Sequence, residues 1–108
     1  MSEHSDCLII GGGLIGMLTA RELALAGMSV TLLERGETGR ESSWAGGGIL
    51  SPLYPWRYPD AVSDLAQYGQ RVYPELARAL TDEGGVDVEW TQSGLLMPAC
   101  EEIEQAQR

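Results

Sequence analysis

The sequence predicts an α/β fold that opens on a parallel strand, helix and strand unit, and three observations predict it. Cys7-Leu8-Ile9-Ile10 and Val30-Thr31-Leu32-Leu33-Glu34 are short apolar or β-branched runs, the pattern of strands buried on both faces of a parallel sheet. Between them, Leu14 to Ala26 is rich in Leu, Ala and Met and free of proline, which favours a helix. The first strand meets that helix through Gly11-Gly12-Gly13, a turn without side chains.

Each later element follows from local chemistry. Gly27 closes the first helix. Gly16, Ala20 and Ala24 recur every four residues, so small side chains line the face that meets the sheet, and Arg21 and Glu22 fall on the other side. Strand, helix and strand then make one right-handed parallel crossover. Glycines, serines and charges from Arg35 to Gly48 predict a long loop with at most one short turn. Ile49 to Pro59 carries Pro52, Pro55 and Pro59 among Tyr54, Trp56 and Tyr58, so it is expected to run extended.

Asp60 is the expected N-cap of a second long helix, because Val62, Leu65, Gly69, Val72 and Leu76 recur at helical spacing up to Thr81. Pro74 predicts a kink or restart within it, and Gly84-Gly85 its end. Val86 to Thr91 alternates and Gly94 to Met97 follows, which predicts an antiparallel hairpin. Glu101 to Arg108 reads as the start of another helix. Two parallel strands with one crossover leave open edges and thinly covered faces, so the chain reads as an incomplete fold.

Composition narrows the function. The 108 residues carry a net charge of -9, with an isoelectric point near 4.3. A nucleic-acid or anionic-membrane binder needs the opposite sign of surface, so neither partner is expected. Cys7 and Cys100 lie in unrelated contexts, which argues against a disulfide or metal clip. A polar, acidic N-terminus and no long apolar run point to a cytoplasmic protein without a membrane span.

The chemistry lies in Gly11-x-Gly13-x-x-Gly16, which sits between strand and helix as a dinucleotide-binding turn requires. Gly11 permits the turn, Gly13 lets backbone approach phosphate, and Gly16 allows close helix packing. The helix N-terminus offers free N–H groups and partial positive charge to a diphosphate. Glu34 follows by about 20 residues at the end of the second strand, where a carboxylate accepts hydrogen bonds from ribose hydroxyls and disfavours a 2'-phosphate. This is the start of a Rossmann-type fold. The fingerprint alone does not choose between nicotinamide and flavin.

The next loop carries the choice. Glu34-Arg35-Gly36, then Gly39-Arg40-Glu41-Ser42-Ser43-Trp44-Ala45-Gly46-Gly47-Gly48-Ile49-Leu50 and Ser51-Pro52-Leu53-Tyr54-Pro55-Trp56-Arg57-Tyr58, resembles the N-terminal segment of the D-amino-acid oxidase-like FAD-dependent oxidoreductases. Within them it is most similar to the bacterial glycine-oxidase branch associated with the thiazole part of thiamine biosynthesis. The resemblance implies FAD as cofactor. It places Leu14 and Ile15 at the pyrophosphate, Glu34 at the adenosine ribose and Arg35 beside adenine. Ser42 and Ser43 fall on the phosphate side, and Gly47, Gly48 and Ile49 pass the isoalloxazine ring. Hydroxyls able to bond phosphate oxygens, and glycines that let main-chain N–H groups approach the flavin, agree with those roles. A flexible linker remains the alternative for Gly46-Gly47-Gly48.

In the full-length relatives the resemblance implies oxidation of a small amino acid to an imine and then a 2-oxo acid, with O2 reduced to hydrogen peroxide. It implies residues 1–59 as the N-terminal part of the FAD-binding domain with its flavin loop, and 60–108 as helix, hairpin and next helix, opening the substrate domain. The residues that grip substrate in such enzymes come later than this segment, so no catalytic residue is assigned. The chain alone is expected to lack activity. An FAD-dependent dehydrogenase of the same fold and a non-catalytic dinucleotide-binding fragment stay open, as does homo-oligomerisation.

Other residues invite less. His4 sits in a polar tail and is expected to be solvated. Pro52-x-x-Pro55-x-Arg57 matches a proline-ligand pattern, but its aromatic neighbours suit a cavity wall better. Trp44, Trp56 and Trp90 read as packing anchors. Glu101, Glu102 and Glu104 read as a solvated helix face rather than a metal site.

Overall fold

The computed structural model describes residues 4–50 and 54–96. The chain divides into two compact units, 1–49 and 50–108. The first holds β1 (Cys7–Ile10), α1 (Leu14–Leu25), β2 (Val30–Leu33) and a one-turn α2 (Ser42–Ala45). The second holds a 3-10 turn (Pro55–Arg57) and α3 (Asp60–Gly84).

In the first unit β1 and β2 pair in parallel, with Cys7 opposite Val30 and Ile10 opposite Leu33. The strands alternate between half-buried and exposed residues, and Ile9 lies beneath Gly16 of α1. One sheet face is therefore covered by the helix. The other carries Leu8 at 56% and Ile10 at 83% exposure, with Leu33 beside them at 51%. The expectation of strands buried on both faces holds for one face only, because a single crossover supplies a single covering helix.

Helix α1 ends where Gly27 permits. Gly27 has a φ of 88°, its N–H donates to the Ala24 carbonyl at 2.9 Å, and the Met28 N–H reaches back to Leu23 at 3.0 Å. That pair of bonds is the Schellman closure, which satisfies carbonyls at the end of the helix. The small-residue stripe is shorter than its spacing suggests. Gly16 and Ala20 are partly buried, but Ala24 is exposed and Arg21 is the half-buried residue, its guanidinium 2.5 Å from Glu22. Arginine reaches this position because its aliphatic stem can cover apolar surface while its head stays in water.

In the second unit several expectations change. Pro59, not Asp60, caps α3, its carbonyl accepting from Val62 at 2.9 Å and Ser63 at 3.2 Å. Asp60 becomes the first helical residue, where its charge favours the dipole. The helix runs on through Pro74 without a restart. Proline removes one backbone bond, whereas dividing the helix would leave two further ends with unsatisfied groups. Gly85, at φ 66°, ends it through a bond to the Thr81 carbonyl of 2.8 Å.

The stretch expected to run extended instead closes a 3-10 turn, with the Arg57 N–H on the Tyr54 carbonyl at 2.9 Å. The Arg57 guanidinium lies 4.4 Å from the centre of the Tyr54 ring, and Trp56 meets Tyr54 edge-on at 5.7 Å. The expected hairpin is also absent among the described residues, which form no strand over 86–96. Glu89 takes a φ of 55°, held by its N–H on Asp87 Oδ1 at 2.9 Å. Trp90 packs instead against Tyr73 of α3 at 6.3 Å. An isolated hairpin is marginal in water, and docking one aromatic on a helix wins here. Met97 and the helix expected over 101–108 lie outside the described residues.

Replacing Gly16 by Ala tests how tightly the first unit is closed. The added Cβ would lie 2.0 Å from the Gly11 carbonyl oxygen, and backbone cannot yield as a side chain can. Gly16→Ala is expected to destabilise this unit by about 2–3 kcal/mol, in the range of overpacked cores. Urea denaturation followed by circular dichroism measures it, and an unchanged midpoint contradicts the contact.

Candidate functional site: the glycine turn and its loop

The site grows from the end of β1. The Gly11 N–H continues the ladder onto the Leu33 carbonyl at 2.8 Å, and Gly11 then turns with a φ of 108°, open to glycine but strained for other residues. Gly12 is buried. Its N–H donates to Glu34 Oε2 at 2.7 Å, and its carbonyl accepts from the Gly39 N–H at 2.8 Å. Gly13 caps α1 in extended conformation without any side-chain cap.

The start of α1 is thus left with backbone donors. The Leu14 N–H is met by Ser43 Oγ at 2.8 Å. Those of Ile15 and Gly16, in the same first turn, must find acceptors outside the helix. Ser43 accepts from Leu14 and keeps its own O–H to donate.

Glu34 is the second anchor. Besides Gly12, it receives the Gly36 N–H on Oε1 at 2.9 Å. These two backbone bonds, Gly12 first, hold its carboxyl below the usual carboxylate range; desolvation opposes them, and the Arg35 backbone and charge help. A carboxylate offers about four acceptor positions, so capacity remains for a hydroxyl donor. Arg35 turns the other way, onto Glu41, through a bond from Nη2 and another from Nε at 3.2 Å. That hydrogen bond and the charge of Glu41 raise the already high pKa of Arg35. Arg40 pairs with Glu37 at 3.2 Å and lies over the Trp44 ring at 4.3 Å.

Together these groups line a cleft of about 160 Å³ formed by Gly11, Gly12, Gly13, Glu34, Ser42 and Ser43 with Glu37, Gly39, Arg40 and Glu41. A drug-sized ligand needs roughly 300–1,000 Å³, so the cleft suits one segment of a dinucleotide. Five of the residues singled out from the sequence, Gly11, Gly13, Glu34, Ser42 and Ser43, line it directly. Gly16 acts by packing beneath the turn, and Leu14 reaches the rim through its N–H. Ile15 is 79% exposed. Arg35, Gly47, Gly48 and Ile49 are exposed and away from the cleft lining.

Sequence reasoning missed Gly12 and Gly39. Gly12 occupies a variable place of the fingerprint, yet a Cβ there would meet Thr38 Cγ2 at 2.8 Å and Glu34 Cβ at 3.0 Å. The unbroken run of three glycines, with Gly12 in the middle, was the available signal. Glu37, Arg40 and Glu41 escaped because their pairing crosses a loop whose path no periodicity reveals. Among the described residues no His, Cys, Asp and Glu cluster could hold a metal, and no helix is long and apolar enough to cross a membrane.

A parallel βαβ unit with a side-chain-free turn and an acid closing the second strand is the opening unit of a Rossmann-type fold. Residues 6–108 match the FAD dependent oxidoreductase family, and the chain belongs to it. It is 62% identical over 95 residues to a glycine oxidase of Pseudomonas aeruginosa, covering 88% of this chain and 26% of that protein. It is 53% identical over 88 residues to a glycine oxidase of Pseudomonas putida, covering 82% and 24%. The crystal structure of glycine oxidase from Bacillus cereus superposes with a TM-score of 0.79 at 32% identity, covering 96% of this chain and 28% of that one. The chain therefore spans about a quarter of the length of these relatives.

The lowered Glu34 pKa sets a pH dependence. A carboxyl whose folded pKa lies below its unfolded value of about 4.3 contributes stability that is complete above that value and is lost as pH falls through the folded pKa. Thermal melting from neutral pH downward is expected to show this loss in the parent protein. In Glu34→Gln that component is removed, and melting curves of equal pH slope would contradict the assignment.

Proposed function

We propose that this chain supplies the diphosphate- and adenosine-holding segment of a cytoplasmic FAD-dependent amino-acid oxidase that acts on glycine or another small amino acid. The observation that carries the proposal is the cleft itself, where the glycine turn, the first turn of α1, the Ser43 hydroxyl and the Glu34 carboxylate converge. The 62% identity to a glycine oxidase supports the substrate class.

The residues fit the group. The turn at Gly11 and Gly13 lets main chain approach a diphosphate, and the N–H groups of Ile15 and Gly16 serve it at the positive end of the helix dipole, while the Leu14 N–H holds Ser43 in place beside it. Ser42 and Ser43 donate to phosphate oxygens. Glu34 accepts from a ribose hydroxyl with its remaining acceptor capacity, and its charge disfavours a 2'-phosphate. Arg35 borders the adenine. Gly47, Gly48 and Ile49, free of the cleft and without bulky neighbours at the glycines, follow the flavin ring. Two of the three acids on the cleft are paired, Glu37 with Arg40 and Glu41 with Arg35, which lowers their repulsion of a diphosphate.

FAD held by the glycine turn, Ser42, Ser43 and Glu34 would supply the two-electron redox chemistry that oxidises an amino acid to an imine, with O2 as the electron acceptor and hydrogen peroxide as its product. What these residues contribute is binding and orientation, holding the cofactor by its diphosphate and ribose so that its ring is presented in one pose.

The protein expressed from its natural reading frame is expected to purify yellow, to release FAD on heating, and to form peroxide from glycine in air. A nicotinamide nucleotide in place of flavin overturns the cofactor, and flavin reduction by glycine without peroxide in air transfers the protein to the dehydrogenases. Ser43→Ala removes a hydroxyl bonded to a charged group, worth about 1.5–3 kcal/mol, and is expected to weaken FAD binding by about ten-fold or more. Quenching of FAD fluorescence by the flavin-free protein measures the change.

A further inference from the structure

We infer that Gly39, in the loop after β2, is a positioning residue that aims the glycine turn at the diphosphate through a backbone latch. The inference rests on the proposed diphosphate site and concerns how that site is held. The Gly39 N–H donates to the Gly12 carbonyl at 2.8 Å. A trans peptide is planar, so the carbonyl of Gly12 and the N–H of Gly13 point in opposite directions within one rigid unit. No cis peptide occurs among the described residues. Fixing the Gly12 oxygen therefore fixes the direction of the Gly13 N–H, the donor at the cap of α1.

The preceding peptide is fixed as well. Its N–H, at Gly12, is held by Glu34, and its carbonyl, at Gly11, faces the Cβ-free side of Gly16. Two successive peptides are thereby clamped, one by the acid at the end of β2 and one by the loop. The clamp leaves no slack, because Thr38 Cγ2 fills the place beside Gly12 where a Cβ would go. Binding loses least when donors are already aimed before the ligand arrives.

Residue 39 must be glycine for this. Its φ is +74°, a left-handed conformation that costs an L-residue about 1–2 kcal/mol unless its side chain is Asn- or Asp-like. A Cβ would meet only Met17 Cε, at the ordinary distance of 3.7 Å. Space thus permits alanine, and the backbone conformation opposes it. Alanine at 39 is expected to open the latch rather than to disrupt packing.

The test compares ADP with adenosine on the flavin-free protein made from its natural reading frame. Gly39→Ala is expected to weaken ADP and FAD by about ten-fold, the scale of one lost bond plus the strain, and to leave adenosine within about two-fold. Gly39→Asn, which tolerates left-handed backbone, is expected to restore most of the ADP affinity. A purely structural role would change ADP and adenosine alike or neither, and either result overturns the inference while wild-type binding upholds the cofactor site. Wild-type protein that binds neither FAD nor ADP overturns the cofactor reading and the inference together. Should Gly39→Ala fail to fold, amide exchange of the flavin-free wild type decides: a protected Gly39 N–H supports the latch, and a freely exchanging one overturns it.

Discussion

At Gly16 the first turn of α1 comes so close to the glycine turn that a methyl group would overlap the Gly11 carbonyl oxygen. This approach brings the N-terminus of the helix against the end of β1, and the rest of the first unit depends on it. With the helix seated there, Ile9 lies beneath it and β2 returns beside β1 in parallel. A larger residue at 16 would lift the helix, and the donors of its first turn would no longer share a cleft with the acid of β2.

The loop after β2 completes the cleft by reaching back to that turn. Glu34 ties Gly12 to Gly36, Gly39 ties to the Gly12 carbonyl, and Ser43 ties to the Leu14 amide. Three of these bonds join the loop to the glycine turn and the start of α1 across more than 20 positions, and little side-chain burial is involved. Backbone hydrogen bonding, more than hydrophobic contact, orders this part of the unit. That suits a binding site, since rigid donors and acceptors are what a polar ligand recognises. The exposed face of Leu8, Ile10 and Leu33 shows the contrast: the sheet is apolar on both sides but covered on one among the described residues.

In the second unit helix α3 organises its surroundings. Tyr73 receives Trp90, and Thr81 Oγ1 lies 3.4 Å from the Val88 N–H. The segment after the helix is drawn onto it and forms no strand in 86–96. Alternation over Val86 to Thr91 described a strand's composition correctly, but composition does not supply a partner edge. Pro74 teaches a similar lesson. Its local cost was legible, while the length of good helix on either side, which outweighs it, is a property of the whole segment.

The first unit was legible because its signals are local. Apolar runs of strand length, a proline-free helix, glycines at its two ends and an acid after β2 each constrain their own few residues, so β1, α1, β2 and the closure at Gly27 followed from sequence alone. The fingerprint likewise picked out Gly11, Gly13, Gly16 and Glu34, and family likeness added Ser42 and Ser43 to the cleft. Tertiary structure decided what depends on distance through space: that Gly12 is held at both ends, that the Gly39 backbone joins the Glu34 and Ser43 side chains in fastening the loop, and that Arg35 pairs with Glu41 and Arg40 with Glu37. The physical reason is that propensity acts through neighbours along the chain, whereas a hydrogen bond between Gly12 and Gly39 exists only after helix, sheet and loop have brought two distant peptides to 2.8 Å.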